Sequence, residues 1–148
     1  MSEHRATVEW QRSGEFRYET YSRGHRVIFS QQLEIAGSAA PENVPPTARG
    51  AHGVDPEQAF VAALSSCHML WFLHLACQKK LVVERYRDEA VGVLEGSWIP
   101  RVTLRPAVTF SGKPPTEAEH HALHERAHER CFIANSVKTE VRVEPRLA

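Results

Sequence analysis

The chain has 148 residues and a mass of 16.7 kDa, enough for one domain, 1–148, with a real core. Hydrophobic residues make up 42% and charged residues 24%, which excludes disordered, collagen-like and low-complexity chains. Eighteen Lys and Arg balance eighteen Asp and Glu, so no general basic field exists to hold nucleic acid or an anionic membrane.

Alternation with period two marks strands, because successive side chains point to opposite sheet faces. Val8 and Trp10 alternate with polar neighbours, and Ser13-Gly14 offers a turn. Phe16, Tyr18 and Thr20 then alternate against Arg17 and Glu19 and predict a second strand. After Ser22-Arg23-Gly24, a third strand is expected from His25 to Ser30, continuing toward Ile35. The chain should therefore open as an antiparallel meander.

Residues 36–54, rich in Ala, Pro and Gly, form a long connection of the kind that is mobile or functional. A helix start follows. Asp55 can cap it, Pro56 suits the first helical position, and Gln58 can reach back in a capping box. The helix is expected to run to about Lys80, with Lys79 and Lys80 at its negative end. From Ala59 to Cys77 it carries no Asp, Glu, Lys or Arg, long enough to be weighed as a membrane span. Ser65, Ser66, His68 and His74 interrupt that run, so the preferred expectation is a helix buried on all sides of a core.

Strands are then expected over Glu89–Leu94 and Arg101–Phe110, with Pro106 implying an edge or a bulge. Thr116 and Glu119 form a second capping box, opening a helix to about Cys131. Val137, Thr139, Val141 and Val143 make a last alternating strand. The order of three strands, helix, two strands, helix and strand is α+β, with helices on an antiparallel sheet. An apolar helix needs more cover than one sheet face provides, and a second subunit would supply it.

Three cysteines, an odd number, do not make a secreted disulfide framework, so reduced, cytosolic thiols are expected. The start, Met-Ser-Glu-His-Arg, has no basic segment leading into an apolar one, so no signal peptide is expected. Cys67 lies midway along the apolar helix in Ser65-Ser66-Cys67-His68-Met69 and, taken alone, reads as a small buried hydrophobe. Cys131, by contrast, stands at an element boundary where a thiol can move. Two cysteines whose Cα atoms approach to about 4.4–6.8 Å can pair. Glu57 begins the apolar helix, and Arg23 occupies a turn near two aromatic-rich strands.

The run Asp55-Pro56-Glu57-Gln58-Ala59-Phe60, then Ser65-Ser66-Cys67-His68-Met69, then Cys131-x-Ile133-x-Asn135-Ser136-Val137 closely resembles the OsmC/Ohr family of osmotically inducible and organic hydroperoxide resistance proteins. The resemblance covers most of the chain. It implies a two-cysteine thiol peroxidase that reduces organic hydroperoxides, built as an intertwined homodimer with sites at the subunit interface. By position, Cys67 would be the peroxidatic thiol, Cys131 the resolving one, and Glu57 the active-site glutamate. The family's arginine best fits Arg23, with Arg26 in competition. Phe132 departs from the proline that many members carry after the second cysteine.

Physical chemistry agrees with that assignment. An unperturbed thiol with a pKa near 8.5 is mostly protonated at neutral pH, and only the thiolate attacks peroxide. Cys67 is too far from the helix start to gain from its dipole. A guanidinium brought in from elsewhere supplies the cation and donates to peroxide oxygens. Glu57 could orient that guanidinium, although about 15 Å of straight helix separates it from Cys67, which favours a site assembled from both subunits. A dithiol, such as a lipoyl-type reductant, would complete the cycle, and no cofactor is expected. Phe60, Met69, Trp71 and Phe72 suit an organic peroxide, though core packing accounts for most of them. Cys77, turned about 80° from Cys67 on the helix, receives no role.

Two other readings stay open. His120, His124 and His128 recur every four residues with Cys131 on the same helical face, a pattern that can hold zinc; yet that helix is otherwise rich in Glu and Arg, as a solvated face is. A non-catalytic dimer binding a small apolar ligand would keep the buried helix and would not need the thiols.

Overall fold

The computed structural model describes residues 1–30, 32–48 and 52–148. Two compact units, Met1–Ala59 and Phe60–Ala148, emerge from it, and each is described by itself.

The first unit holds a three-stranded antiparallel meander of β1 (Thr7–Glu9), β2 (His25–Ser30) and β3 (Leu33–Gly37). The register pairs Val8 with Val27 and Val27 with Ile35. The meander was expected, but its membership differs. Phe16–Thr20 forms no strand: Tyr18–Thr20 is a turn, with the amides of Thr20 and Tyr21 donating to the Arg17 carbonyl. The aromatic rings there pack on one another instead of across a ladder. Trp10 and Phe16 lie 5.7 Å apart and Phe16 and Tyr21 4.9 Å apart, centroid to centroid. The strand from His25 also stops at Ser30, and Leu33–Gly37 returns beside it. The 36–54 connection contains two short 3₁₀ turns, Pro41–Asn43 and Pro46–Ala48, and rejoins the sheet edge where the Val54 amide donates to the Ala36 carbonyl. Its residues 49–51 lie outside the described residues.

Helix α1 (Pro56–Gln78) begins with the expected reciprocal cap: the Gln58 amide donates to Asp55 Oδ1 at 2.7 Å, and the Asp55 amide donates back to Gln58 Oε1. It ends in a Schellman arrangement, in which the amides of Leu81 and Lys80 reach the carbonyls of Ala76 and Cys77. Lys80 takes the left-handed position with φ 59°, so Lys79 and Lys80 stand just past the helix. By length and composition alone α1 could cross a membrane. In the fold, Leu64, His68, Phe72 and Ala76, spaced four apart along one stripe, are fully buried. The other faces are not, and Leu70 is 62% exposed; a helix buried on every side is therefore not what one chain provides.

In the second unit, β4 (Val82–Asp88), β7 (Pro106–Ser111) and β9 (Arg146–Leu147) form one sheet; β5 (Val91–Gly92), β6 (Arg101–Leu104) and β8 (Glu140–Val143) form another. The pairs β7–β9 and β6–β8 are parallel, so the sheets are mixed where antiparallel ones were expected. Within the strand expected over Glu89–Leu94, Val91–Gly92 is strand, and a longer strand that was not expected, Val82–Asp88, precedes it. Likewise Arg101–Phe110 is two strands, broken at Arg105, whose amide donates to Asp88 Oδ1 at 2.6 Å. Ser65 Oγ donates to the other oxygen of the same carboxylate. Pro106 opens β7, the central strand of its sheet, where a missing N–H at the first position is tolerated; neither edge nor bulge explains it.

Helix α2 (Glu117–Arg130) is opened by the Thr116–Glu119 capping box. Its inward stripe is His120, Leu123, His124 and Ala127, all buried. The face read as solvated is thus partly core. Leu64 packs with Val102 and Leu104, while Phe72 and Ala76 pack with Val108, Leu123 and Ala127. Fully burying the Leu, Val and Phe side chains contributes about 1.5–3 kcal/mol each.

Candidate functional site

Within the second unit, α1 and α2 bring two thiols together. Cys67 projects from the middle of α1 and is half-buried; Cys131 is the C-cap of α2 and is 1% exposed. The two thiols are near enough to act on each other electrostatically. Burial pushes the Cys131 thiol up to about 11; the Ala134 amide, donating to Sγ at 3.4 Å, works against this, and the neighbouring Cys67 thiol adds to it. Cys131 is consequently protonated at neutral pH. The third thiol, Cys77, is exposed near the end of α1. Just past Cys131, Phe132 meets Trp71 of α1 edge to face at 5.4 Å, and the Arg130 guanidinium lies 5.5 Å from the Trp71 ring.

The sulfurs meet because each helix presents them on a face that the core orients. Phe72 and Ala76 of α1 pack against Leu123 and Ala127 of α2, which places the helix bearing Cys67 beside the last turn that leads to Cys131. A 3₁₀ turn, Ala134–Ser136, follows, and the Asn135 amide donates to the Cys131 carbonyl. The side-chain amide of Asn135 donates to the Glu129 carbonyl. These bonds close the α2 terminus around the cysteine.

Between the same two helices lies a row of imidazoles, two of which, His120 and His124, sequence reasoning placed on a solvated face. His68 Nε2 is 3.0 Å from His124 Nδ1, and His124 Nε2 is 3.2 Å from His120 Nε2. The His68 and His124 rings stack in parallel, and Phe72 stacks on His124 at 4.2 Å. All three histidines are 2% exposed or less. Burial holds His68 down at about 4 and His124 at about 2, with neighbouring imidazoles adding to the depression; burial lowers His120 as well. The spacing 120, 123, 124, 127 was the available signal, since it is the inward stripe of a packed helix. For the zinc reading the arrangement does not fit: the ring nitrogens face one another at hydrogen-bond distance. Among the described residues no group of three or more His, Cys, Asp or Glu side chains is placed to hold a metal ion.

In the first unit, Trp10, Phe16, Tyr21, Arg23, Pro56 and Glu57 line a cavity of about 470 Å³. The Arg23 guanidinium donates to the Tyr21 carbonyl at 2.7 Å and the Tyr18 carbonyl at 2.9 Å, and lies 3.4 Å from the Tyr21 ring centroid. It is held by backbone and aromatic face, with no carboxylate bonded to it among the described residues. Arg26 is placed differently. It is exposed and bridges Glu34, at 2.9 and 2.6 Å, to Glu9, at 3.0 Å, across the three strands. Of the two arginines, only Arg23 shares the cavity with Glu57.

The OsmC-like protein family model matches residues 49–146. An OsmC-like protein of unknown function from Vibrio cholerae is 47% identical, with 99% of this chain and 100% of that chain covered and a TM-score of 0.91. An OsmC-like protein from Mycoplasma pneumoniae is 16% identical over 99% and 98% of the two chains, with a TM-score of 0.78. The organic hydroperoxide resistance protein OhrB of Bacillus subtilis is 17% identical over 99% and 98%, with a TM-score of 0.64. These last two likenesses are of fold. No curated protein sequence matches the chain.

Proposed function

The chain belongs to the OsmC-like protein family, and from that membership we propose that it is a two-cysteine thiol peroxidase reducing organic hydroperoxides to alcohols. The observation that carries this reading is the proximity of Cys67, half-buried on α1, to the buried Cys131 at the end of α2, whose thiol it raises further. Cys67, as thiolate, attacks the outer oxygen of ROOH; the O–O bond breaks, RO⁻ takes a proton and leaves as ROH, and the sulfur becomes a sulfenic acid. Cys131 then gives up its proton and attacks that sulfur. The S–S bond forms, and hydroxide leaves with the proton as water. An external dithiol, of the lipoyl type, returns two electrons and two protons.

A buried, protonated Cys131 suits the second step, because it does not compete for peroxide while Cys67 is reduced. In this reading Arg23 supplies the cation for the peroxide oxygens and Glu57 orients it. The free donors left on Arg23 after its two carbonyl bonds support that role, whereas Arg26 is engaged by two carboxylates. The chain works as one domain in a cytoplasmic homodimer, the second copy covering the outer faces of α1, and each site draws on both subunits. Mass spectrometry after one equivalent of an alkyl hydroperoxide tests the proposal. A Cys67–Cys131 disulfide is expected, and two unmodified thiols would overturn it.

A second reading, a dimer that binds a small apolar ligand without catalysis, draws support from the aromatic cavity of Trp10, Phe16 and Tyr21. Cys67→Ser separates the two: the ligand-binding protein keeps its binding and shows no peroxidase activity in either form.

A further inference from the structure

Three buried imidazoles in a row are a physical anomaly. Neutral His124 has one N–H and one lone pair, so it donates to one neighbour and accepts from the other, and the row runs in a single direction. One end is left open, because His68 Nδ1 is buried and has no hydrogen-bond partner. The row tolerates protons poorly. One added proton keeps both N···N bonds but places a charge in the core; a second sets N–H against N–H within the row or stacks charge on charge.

Among the described residues nothing packed around the row offsets such a charge. From α1 it is faced by His68 itself, next to Cys67. From α2 come His120, His121, His124 and His128, and then Cys131. From β4 comes Tyr86, 6.4 Å from His124 between ring centroids, its hydroxyl buried without a partner among the described residues; from β7 the uncharged Phe110 ring meets His120. The carboxylate that acts on Tyr86 is Asp88, already bonded to the Ser65 hydroxyl and the Arg105 amide. Among the described residues no carboxylate bonds to His68, His120 or His124. Relief on protonation therefore has to come from water, which requires α2 to part from α1.

The helices that would part are the two that hold the thiols. We propose that the row of His68, His124 and His120 is an acid-opened latch between α1 and α2 that controls the Cys67–Cys131 redox pair. Proton uptake opens the latch and favours the dithiol; the disulfide ties α1 to α2 and resists proton uptake. By linkage the two effects are one coupling seen from two sides. The inference rests on the thiols being able to pair, not on peroxide being the oxidant.

The test is equilibration of the whole protein with oxidised and reduced dithiothreitol between pH 7 and pH 4, with acid quench and thiol counting. The exchange moves two electrons and two protons from dithiothreitol to the protein disulfide, giving the protein dithiol and the cyclic disulfide. No net proton is released, so a plain thiol pair gives a constant independent of pH in this range. With the latch, the opened dithiol takes up protons that the closed protein refuses, so the constant shifts toward the protein dithiol in the lower part of this range, by up to about tenfold per pH unit for each additional proton bound. His124→Phe, which keeps a ring against Phe72, is expected to flatten that dependence, and His120→Phe to reduce it. Absence of any disulfide at pH 7 would overturn the pairing itself. A disulfide that forms at pH 7 with a constant flat down to pH 4 in the unsubstituted protein would overturn the latch and leave the pairing standing, whether or not the variants fold.

Discussion

Cys131 caps the end of α2, with its thiol near enough to that of Cys67 on α1 for each to feel the other. One partner is half-buried and the other fully buried, so the pair is asymmetric before any chemistry occurs. In the proposed reaction that asymmetry divides the labour: the more accessible sulfur would meet the substrate, and the buried one would wait beside it.

That division makes the single-thiol variants distinguishable. After treatment with an alkyl hydroperoxide, Cys131→Ser is expected to accumulate a sulfenic acid at Cys67, trapped as a stable adduct by dimedone and located by mass spectrometry. Cys67→Ser should yield neither adduct nor disulfide. Equal trapping at Cys131 in the Cys67→Ser protein would reverse the assignment.

Arg23 and Arg26 should separate just as clearly. Arg26→Ala removes a solvated ion-pair cluster with Glu9 and Glu34, and surface pairs of this kind contribute little; peroxide turnover and Tm should stay close to those of the parent. Arg23→Ala removes the guanidinium from the cavity that also holds Glu57 and should lower kcat/KM for organic hydroperoxide by at least about 10²-fold. Arg23→Lys, which keeps the charge but loses the planar fork, should restore little of it. Steady-state assays with cumene hydroperoxide and a dithiol decide the matter.

The reduced protein should be acid-labile in a defined window. The ordinary imidazole value of 6.5 applies to the unfolded chain, while His68 in the fold sits at about 4 and His124 at about 2. Below pH 6.5 the unfolded state therefore binds protons that the folded state refuses, and stability falls as pH drops. The full contribution is present above pH 6.5, and each of the two groups removes at most about 1.4 kcal/mol per pH unit on the way down to its folded value. Urea unfolding at pH 7, 6, 5 and 4 measures the slope. A midpoint that holds steady from pH 6.5 to pH 4 would contradict the burial of these imidazoles.

Lys80 offers a stabilising change. It holds the left-handed position that ends α1, with φ 59°, a conformation that costs a side chain with a Cβ roughly 1–2 kcal/mol. Lys80→Gly relieves that strain and should raise Tm by a few degrees in differential scanning calorimetry, after allowing for glycine's greater freedom in the unfolded chain. A lower Tm would mean that the Lys80 side chain makes a stabilising contact.

The residues that could be read directly were those whose signal is local. Asp55 with Gln58 and Thr116 with Glu119 marked both helix starts, because a cap is a contact among near neighbours. Cys67 and Cys131 could be singled out by type and motif. Local alternation misled at Phe16–Thr20, where aromatic rings gather on Trp10 instead of joining a ladder. It misled again at Arg105, where a strand that reads as continuous changes sheets because Asp88 captures its amide. Histidine was the hardest case. Its polarity argues for solvent, and only the packing of α2 on α1 turned His120 and His124 inward.

By itself, then, the sequence determined the α+β order, the two capped helices and the thiols that a redox reading needs, since each depends on chemistry within a few residues. Tertiary structure alone decided that Cys67 and Cys131 come near each other, that Arg23 rather than Arg26 shares a cavity with Glu57, and that three histidines line up in a core with no carboxylate bonded to them among the described residues. Those are distances between segments remote in the chain. They are set by how apolar stripes such as Leu64–Ala76 find their partners, and no local pattern encodes that.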